Sequence, residues 1–215
     1  MDSLRRRCLL TLFGMLAGLG GQASIVVAQA GSATPPRVEL PGRILLAALR
    51  GGGYILYFRH TATDFGQSDE GMTGYEDCAT QRNLTDSGRA EARAIGATLH
   101  DLAIPIGDVL ASPYCRTMET AQLMFGRAEA TPAVRGGPAQ PESPTRYAEL
   151  RELLARPVPP GTNLVITSHG NPYRAVAGGD YLAEGEAAVI EPRGTAGFRI
   201  VARVRGNEWK ELALR

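Results

Sequence analysis

Three short stretches of this 215-residue chain place cationic or titratable side chains just after apolar runs: "FRHT" at 58–61, "SPYCR" at 112–116 and "SHGN" at 168–171. They contribute Arg59, His60, Arg116 and His169. Two guanidiniums and two imidazoles gathered at one place, with the amides of helix N-termini beside them, would hold a compact dianion such as a phosphoryl group. Neutral imidazole is also a competent nucleophile near neutral pH. Taken singly, each residue has a plain structural use: a histidine can finish a strand, and an arginine can close an ion pair. Their recurrence after three separate strands favours a shared site. His100, on a long helix without such context, reads as a surface residue.

The elements that must position these groups follow from periodicity and punctuation. Tyr54–Phe58 is an unbroken apolar run of strand length, Val109–Ala111 follows "GD", and Leu164–Thr167 follows "GTN". Between and after them lie helical segments: Arg43–Arg50, a long helix capped by Thr85 and reaching about Leu102, "CRTMETAQLMFG" stopped by Gly126, one around Tyr147–Leu154, and one after Pro172. Strand and helix in alternation predict a three-layer α/β/α fold with a mainly parallel central sheet and right-handed crossovers. "EAAVIEP" and "GFRIVARV", separated by turn residues, add a C-terminal antiparallel strand or hairpin. Ligands of such sheets bind beyond the carboxyl ends of the strands, where the three stretches fall. The polar segments Thr61–Arg82 and Ala130–Pro144 are expected to frame the mouth of the site.

The N-terminus is organised differently. Arg5-Arg6-Arg7, an apolar run interrupted by glycines, and "VAQA" have the pattern of a signal peptide over residues 1–30, cleaved after Ala30. The run falls short of the ~20 residues that span a bilayer, so no stable membrane span is expected in the mature chain. Arg6-Arg7 followed by Leu9 and Leu10 also permits a twin-arginine route. The expected location is periplasmic or secreted, with a leader at 31–42 and one domain at 43–215. Cleavage removes three arginines and Asp2, turning the formal charge from +1 to −1, which excludes a global attraction to nucleic acid. It also removes Cys8, leaving Cys78 and Cys115 as a pair suited to a disulfide in an oxidising compartment. No CxxC or HxxxH spacing accompanies them, which disfavours a metal pair.

"RHT" after a buried strand, "SPYCRTMETA" opening a helix, "SHGN" after a later strand, and "TQRNLTDSGRAEARAIG" between the first two resemble the histidine phosphatase superfamily, the phosphoglycerate mutase-like fold. The resemblance runs from about Gly53 to at least Phe198. It implies that His60 is the nucleophile and carries phosphorus as a phosphohistidine that water hydrolyses. Arg59, Arg116 and a protonated His169 would hold the nonbridging oxygens, with no metal or cofactor. Thr61 stands where many members have Gly, and Thr61, Ser168 and Gln81 are expected to touch substrate. One branch of the family carries an Asp directly after the second His, where this chain has Gly170 and Asn171; the other uses a Glu beyond the second-strand motif. The candidate proton donors are therefore Glu142, Glu149 and, close to the nucleophile, Asp64.

The function so implied is hydrolysis of a small-molecule phosphomonoester or of a phosphorylated surface substrate. A site without a strong acid would favour good leaving groups such as phosphohistidine, acyl or aryl phosphates. The alternatives are a noncatalytic phosphate-binding member of the fold and a mutase, the latter disfavoured by the export signal. A serine hydrolase is disfavoured because no G-x-S-x-G elbow is present.

Overall fold

The computed structural model describes residues 39–138, 143 and 145–214. The expected signal peptide, most of the leader and Glu142 lie outside the described residues. In chain order the elements are α1 (Gly42–Gly51), β1 (Ile55–Arg59), α2 (Asp86–Asp101), β2 (Ile106–Ala111), α3 (Cys115–Phe125), β3 (Glu129–Ala130), α4 (Ala148–Ala155), β4 (Asn163–Ser168), α5 (Gly170–Ala177), β5 (Ala187–Pro192) and β6 (Phe198–Val204).

Local chemistry sets several of these boundaries. Thr85 caps α2 by accepting a hydrogen bond from the Gly88 amide at 3.0 Å. Gly126 ends α3 in the left-handed region, at φ 70°. Helix α5 begins at Gly170 rather than after Pro172, so Pro172 sits in its first turn, where a missing N–H leaves no helical bond unmade. The two-residue strand β3 is too short to announce itself by periodicity.

The sheet runs in the order β3-β2-β4-β1-β5-β6. Strands β1, β2, β3 and β4 pair in parallel. Strand β5 is antiparallel to both β1 and β6, so the C-terminal hairpin docks directly on the first strand. Alternating side chains divide the interior in two. Leu56 and Phe58 join a core with α1, α2 and α3, whereas Ile55 and Tyr57 join another with α4 and α5. The β5–β6 ladder slips between Val189 and Ile190, and Val201 and Ala202 then both serve the first core. Helices α2 and α3 approach backbone to backbone: a Cβ on Gly96 would come within 2.2 Å of the Met124 carbonyl oxygen. Among the described residues no helix is long and apolar enough to cross a membrane.

Candidate active site at the carboxyl edge of the sheet

Strands β2, β4 and β1 are neighbours that end at one edge, with β4 in the middle. The chain leaving them supplies Ser112, His169 and His60. Backbone pairing continues past the strand ends, with the His60 amide donating to the Ser168 carbonyl at 3.0 Å and the Gly185 amide donating to the His60 carbonyl at 3.0 Å. The imidazoles of His60 and His169 stand 5.5 Å apart, centroid to centroid, nearly edge to face.

His60 Nδ1 lies 2.9 Å from the Thr61 carbonyl. A carbonyl only accepts, so Nδ1 carries the ring proton and Nε2 keeps the lone pair that a nucleophile needs. His169 Nε2 is 2.8 Å from the Ser112 hydroxyl, and the Tyr57 hydroxyl donates to the His169 carbonyl at 2.9 Å. Behind His60 lies Glu184, 3.8 Å from Nδ1. Its carboxylate accepts from the Thr63 hydroxyl at 2.7 Å and from Arg59 at 3.5 Å.

Three guanidiniums complete the arrangement. Arg59 donates to the Leu182 carbonyl at 2.9 Å. Arg116 holds the Asp69 carboxylate through both terminal nitrogens, each at 3.0 Å, and stacks 4.6 Å from the Tyr114 ring centroid. Arg82 joins them in lining a cavity of about 450 Å³ with His60, His169 and Asp69. The Nε groups of Arg59, Arg82 and Arg116 are buried and have no hydrogen-bond partner among the described residues.

Burial, reinforced by these cations, sets the protonation of the site. Burial, then the charges of Arg116, Arg59 and Arg82, push His60 down to about 3 against the opposing bond to the Thr61 carbonyl. Burial, followed by Arg116, His60 and Arg59, carries His169 well below its usual value. Both imidazoles are therefore neutral at pH 7, whereas the sequence led us to expect a protonated His169. Burial opposes ionisation of Asp69, but Arg116 and the Arg82 amide outweigh it and hold the carboxyl below its ordinary range. Among the described residues no group of three or more His, Cys, Asp or Glu side chains is gathered as a metal site.

The cavity brings together Arg59, His60, Arg116 and His169, as the three stretches suggested. Other expected contacts fall elsewhere. Thr61 is buried against Thr120 of α3, with the two hydroxyls 3.4 Å apart. The Ser168 hydroxyl donates to the Val134 carbonyl at 2.6 Å. Gln81 is a brace: its amide donates to the carbonyls of Gly74 and Tyr75 at 3.1 and 3.0 Å, and its oxygen accepts from the Cys115 amide at 3.0 Å. None of the three lines the cavity. Of the proposed acids, Asp64 is exposed and accepts from the Gly66 amide at 2.8 Å, and Glu149 is exposed in the first turn of α4.

Asp69, Arg82, Tyr114 and Glu184 were not picked out from the sequence. Arg82 and Tyr114 lie within recognised motifs, but Asp69 and Glu184 sit in loops whose composition alone resembles solvated surface. Cys78 and Cys115 are bonded to each other, with Cα atoms 5.7 Å apart, and so tie the loop before α2 to the start of α3, one residue from Arg116.

Residues 55–137 match the model of the histidine phosphatase superfamily, branch 1. Among solved structures, the chain is similar to the protein histidine phosphatase SixA complexed with tungstate, at 18% identity and a TM-score of 0.50, covering 72% of this chain and 98% of that one. A phosphoserine phosphatase mutant from Entamoeba histolytica in complex with phosphoserine aligns at 11% identity and a TM-score of 0.49, over 70% of this chain and 95% of that one. YhfR from Bacillus stearothermophilus aligns at 16% and 0.46, over 68% and 94%. No curated protein matches the sequence. Over residues 55–137, the segment that carries Arg59, His60 and Arg116, the chain is thus similar to the histidine phosphatase superfamily, branch 1.

Proposed function

We propose that the protein is an exported phosphatase that transfers a phosphoryl group first to His60 and then to water, using arginines rather than a metal as its cations. One observation carries the reading: three arginines whose buried Nε groups have no partner among the described residues line a single cavity beside a neutral, Nδ1-anchored histidine. A buried N–H donor left unsatisfied is costly, and more so on a charged group. A phosphoryl dianion seated among them would remove that cost.

The reaction follows from the same geometry. The Nε2 lone pair of His60 attacks phosphorus, the bond to the leaving oxygen breaks, and the ring, still protonated at Nδ1, becomes cationic. Glu184, 3.8 Å from Nδ1, offsets that charge, and its bonds to Thr63 and Arg59 hold it in place. Arg59, Arg82 and Arg116 neutralise the nonbridging oxygens, where positioning and electrostatics supply most of the catalysis. Water then attacks the phosphohistidine, the P–N bond breaks and neutral His60 returns. A small phosphomonoester or a phosphorylated side chain on a surface suits a cavity of about 450 Å³.

Rapid quenching of turnover with radiolabelled aryl phosphate at mildly alkaline pH, which preserves phosphohistidine, should leave label on a peptide containing His60. A wild type that turns over without such label, together with a His60→Ala variant that keeps most of its activity, would exclude the covalent route. Export is supported by the basic and apolar N-terminal pattern and by the Cys78–Cys115 bond. Mass spectrometry of the protein from its native compartment should find a chain beginning at Gly31, and an intact N-terminus on a cytoplasmic species would sink that part of the reading.

A further inference from the structure

The step that expels an alkoxide needs a proton, and neither Asp64 nor Glu149 lines the cavity. Asp69 is the one carboxylate among the described residues that line it. Resting on the phosphatase reading, we propose that Asp69 is the proton donor to the leaving group, and that the arriving phosphoryl group frees it for this task by taking its place on Arg116.

Two contacts hold the Asp69 carboxylate. One is the paired bond to both terminal nitrogens of Arg116, at 3.0 Å each. The other is the Arg82 backbone amide, which donates to Oδ1 at 2.9 Å. A phosphoryl group offers the same fork-shaped pair of oxygens to a guanidinium with a larger charge, so it competes for the first contact and leaves the second. The Arg82 amide then acts as a tether that keeps the carboxylate beside the cavity. The Asp69 side chain is 31% exposed, so solvent can reach it.

The exchange changes what the carboxyl can do. Paired with Arg116 it stays ionised and is a poor acid. Parted from that guanidinium, facing a bound dianion, with burial still opposing ionisation, it takes up a proton from solvent. Arg116 and Arg82 are the charged groups that face it, and Tyr114 lies beside Arg116. In the first half-reaction the carboxyl proton passes to the departing oxygen as the P–O bond breaks. In the second, a proton of the attacking water passes to the carboxylate as its oxygen bonds to phosphorus and the P–N bond breaks. Tyr114 and Tyr181 also line the cavity, but a phenol is a much weaker acid than a carboxyl, and burial pushes Tyr114 further up.

The test is the dependence of kcat/KM, which reports the phosphorylation half-reaction, on the acidity of the leaving group. The wild type and Asp69→Asn would be compared on 2,4-dinitrophenyl, 4-nitrophenyl and phenyl phosphate. A leaving group as good as dinitrophenolate needs no proton, so the variant should stay within ~10-fold of the wild type there. It should fall by ~10²–10⁴-fold on phenyl phosphate, the usual contribution of general acid catalysis. Retention of the dinitrophenyl activity also shows that the variant is folded. An equal loss, an equal gain or no change across the three substrates overturns the role of Asp69 while leaving the phosphatase reading standing. A wild type inert even toward dinitrophenyl phosphate overturns both.

Discussion

The floor of the cavity and its wall are built by different means. The floor consists of Arg59, His60 and His169 at the ends of adjacent parallel strands, where Arg59 pairs with Ser168 and the His60 amide bonds to the Ser168 carbonyl. Its positions are over-determined by backbone ladders. The wall, residues 61–84, has little regular pairing beyond the bridge between Thr63 and Leu84 and a short 3₁₀ turn at Cys78–Thr80. Side chains hold it instead: Gln81 braces Gly74, Tyr75 and Cys115, the Asn83 amide donates to the Cys78 carbonyl at 2.7 Å, and the disulfide fastens it to α3. The proposed nucleophile thus sits where the backbone permits least movement, and Asp69, which must change partners, sits where contacts can be exchanged one at a time.

The sharpest way to break this comparison is to remove a floor residue. His60→Ala should lose nearly all turnover of an aryl phosphate while still binding orthovanadate, because the arginines that cradle the anion remain; equilibrium titration and steady-state rates would show the split. Equal loss of binding would mean that the floor is not independent of the nucleophile.

Acid should weaken the floor next. His60 titrates near 3 in the fold and near ~6.5 when unfolded, so between those values the unfolded chain binds a proton that the folded chain refuses. Stability contributed by neutral His60 is whole above pH ~6.5 and is lost as pH falls toward 3, by an amount of the order of several kcal/mol. His169 acts in the same direction. Urea midpoints at pH 7, 5 and 4 should fall, and less steeply in His60→Gln than in the wild type.

Smaller effects should follow from the wall. Reducing the Cys78–Cys115 bond, which closes a loop over a separation of 37 residues, should cost ~3–4 kcal/mol in thermal or urea unfolding. Gln81→Ala should cost ~1–3 kcal/mol through the carbonyls and amide it leaves unpaired, and should raise KM more than it lowers kcat. An unchanged KM would show that the wall does not need its brace in order to hold substrate.

What could be read from the sequence divides along the same line. Local signals carried the floor: an apolar run before Arg59-His60, a threonine cap at Thr85, and a glycine stop at Gly126. They could not tell which neighbours of a catalytic position face the ligand. Ser168 precedes His169, yet strand alternation puts it on the face of Ile166, toward Val134. Thr61 follows His60, yet the chain turns it inward against α3. In the wall there is no period to read. Asp64 and Asp69 are equivalent by composition, and only the return of the loop onto Arg116 separates an exposed turn residue from a cavity-lining one. Glu184 is hidden for a similar reason: the path after α5 brings it behind His60, and nothing within "LAEGEA" foretells that contact.

The middle position of β4 bears on when the site comes into existence. Strands β1 and β2 are made first, but they share no hydrogen bonds; each pairs with β4, which enters the chain later and is inserted between them. The hydrogen bond from Tyr57 to the His169 carbonyl joins residues 112 positions apart, and closures of that span form late and slowly compared with local turns. A nascent chain that ends before Asn163 therefore has an arginine and a histidine at the end of β1 but no opposing His169 and no central strand to align them. On the proposed mechanism, phosphoryl chemistry would begin only when the last parallel strand is in place, so reactivity would wait until the domain is nearly complete.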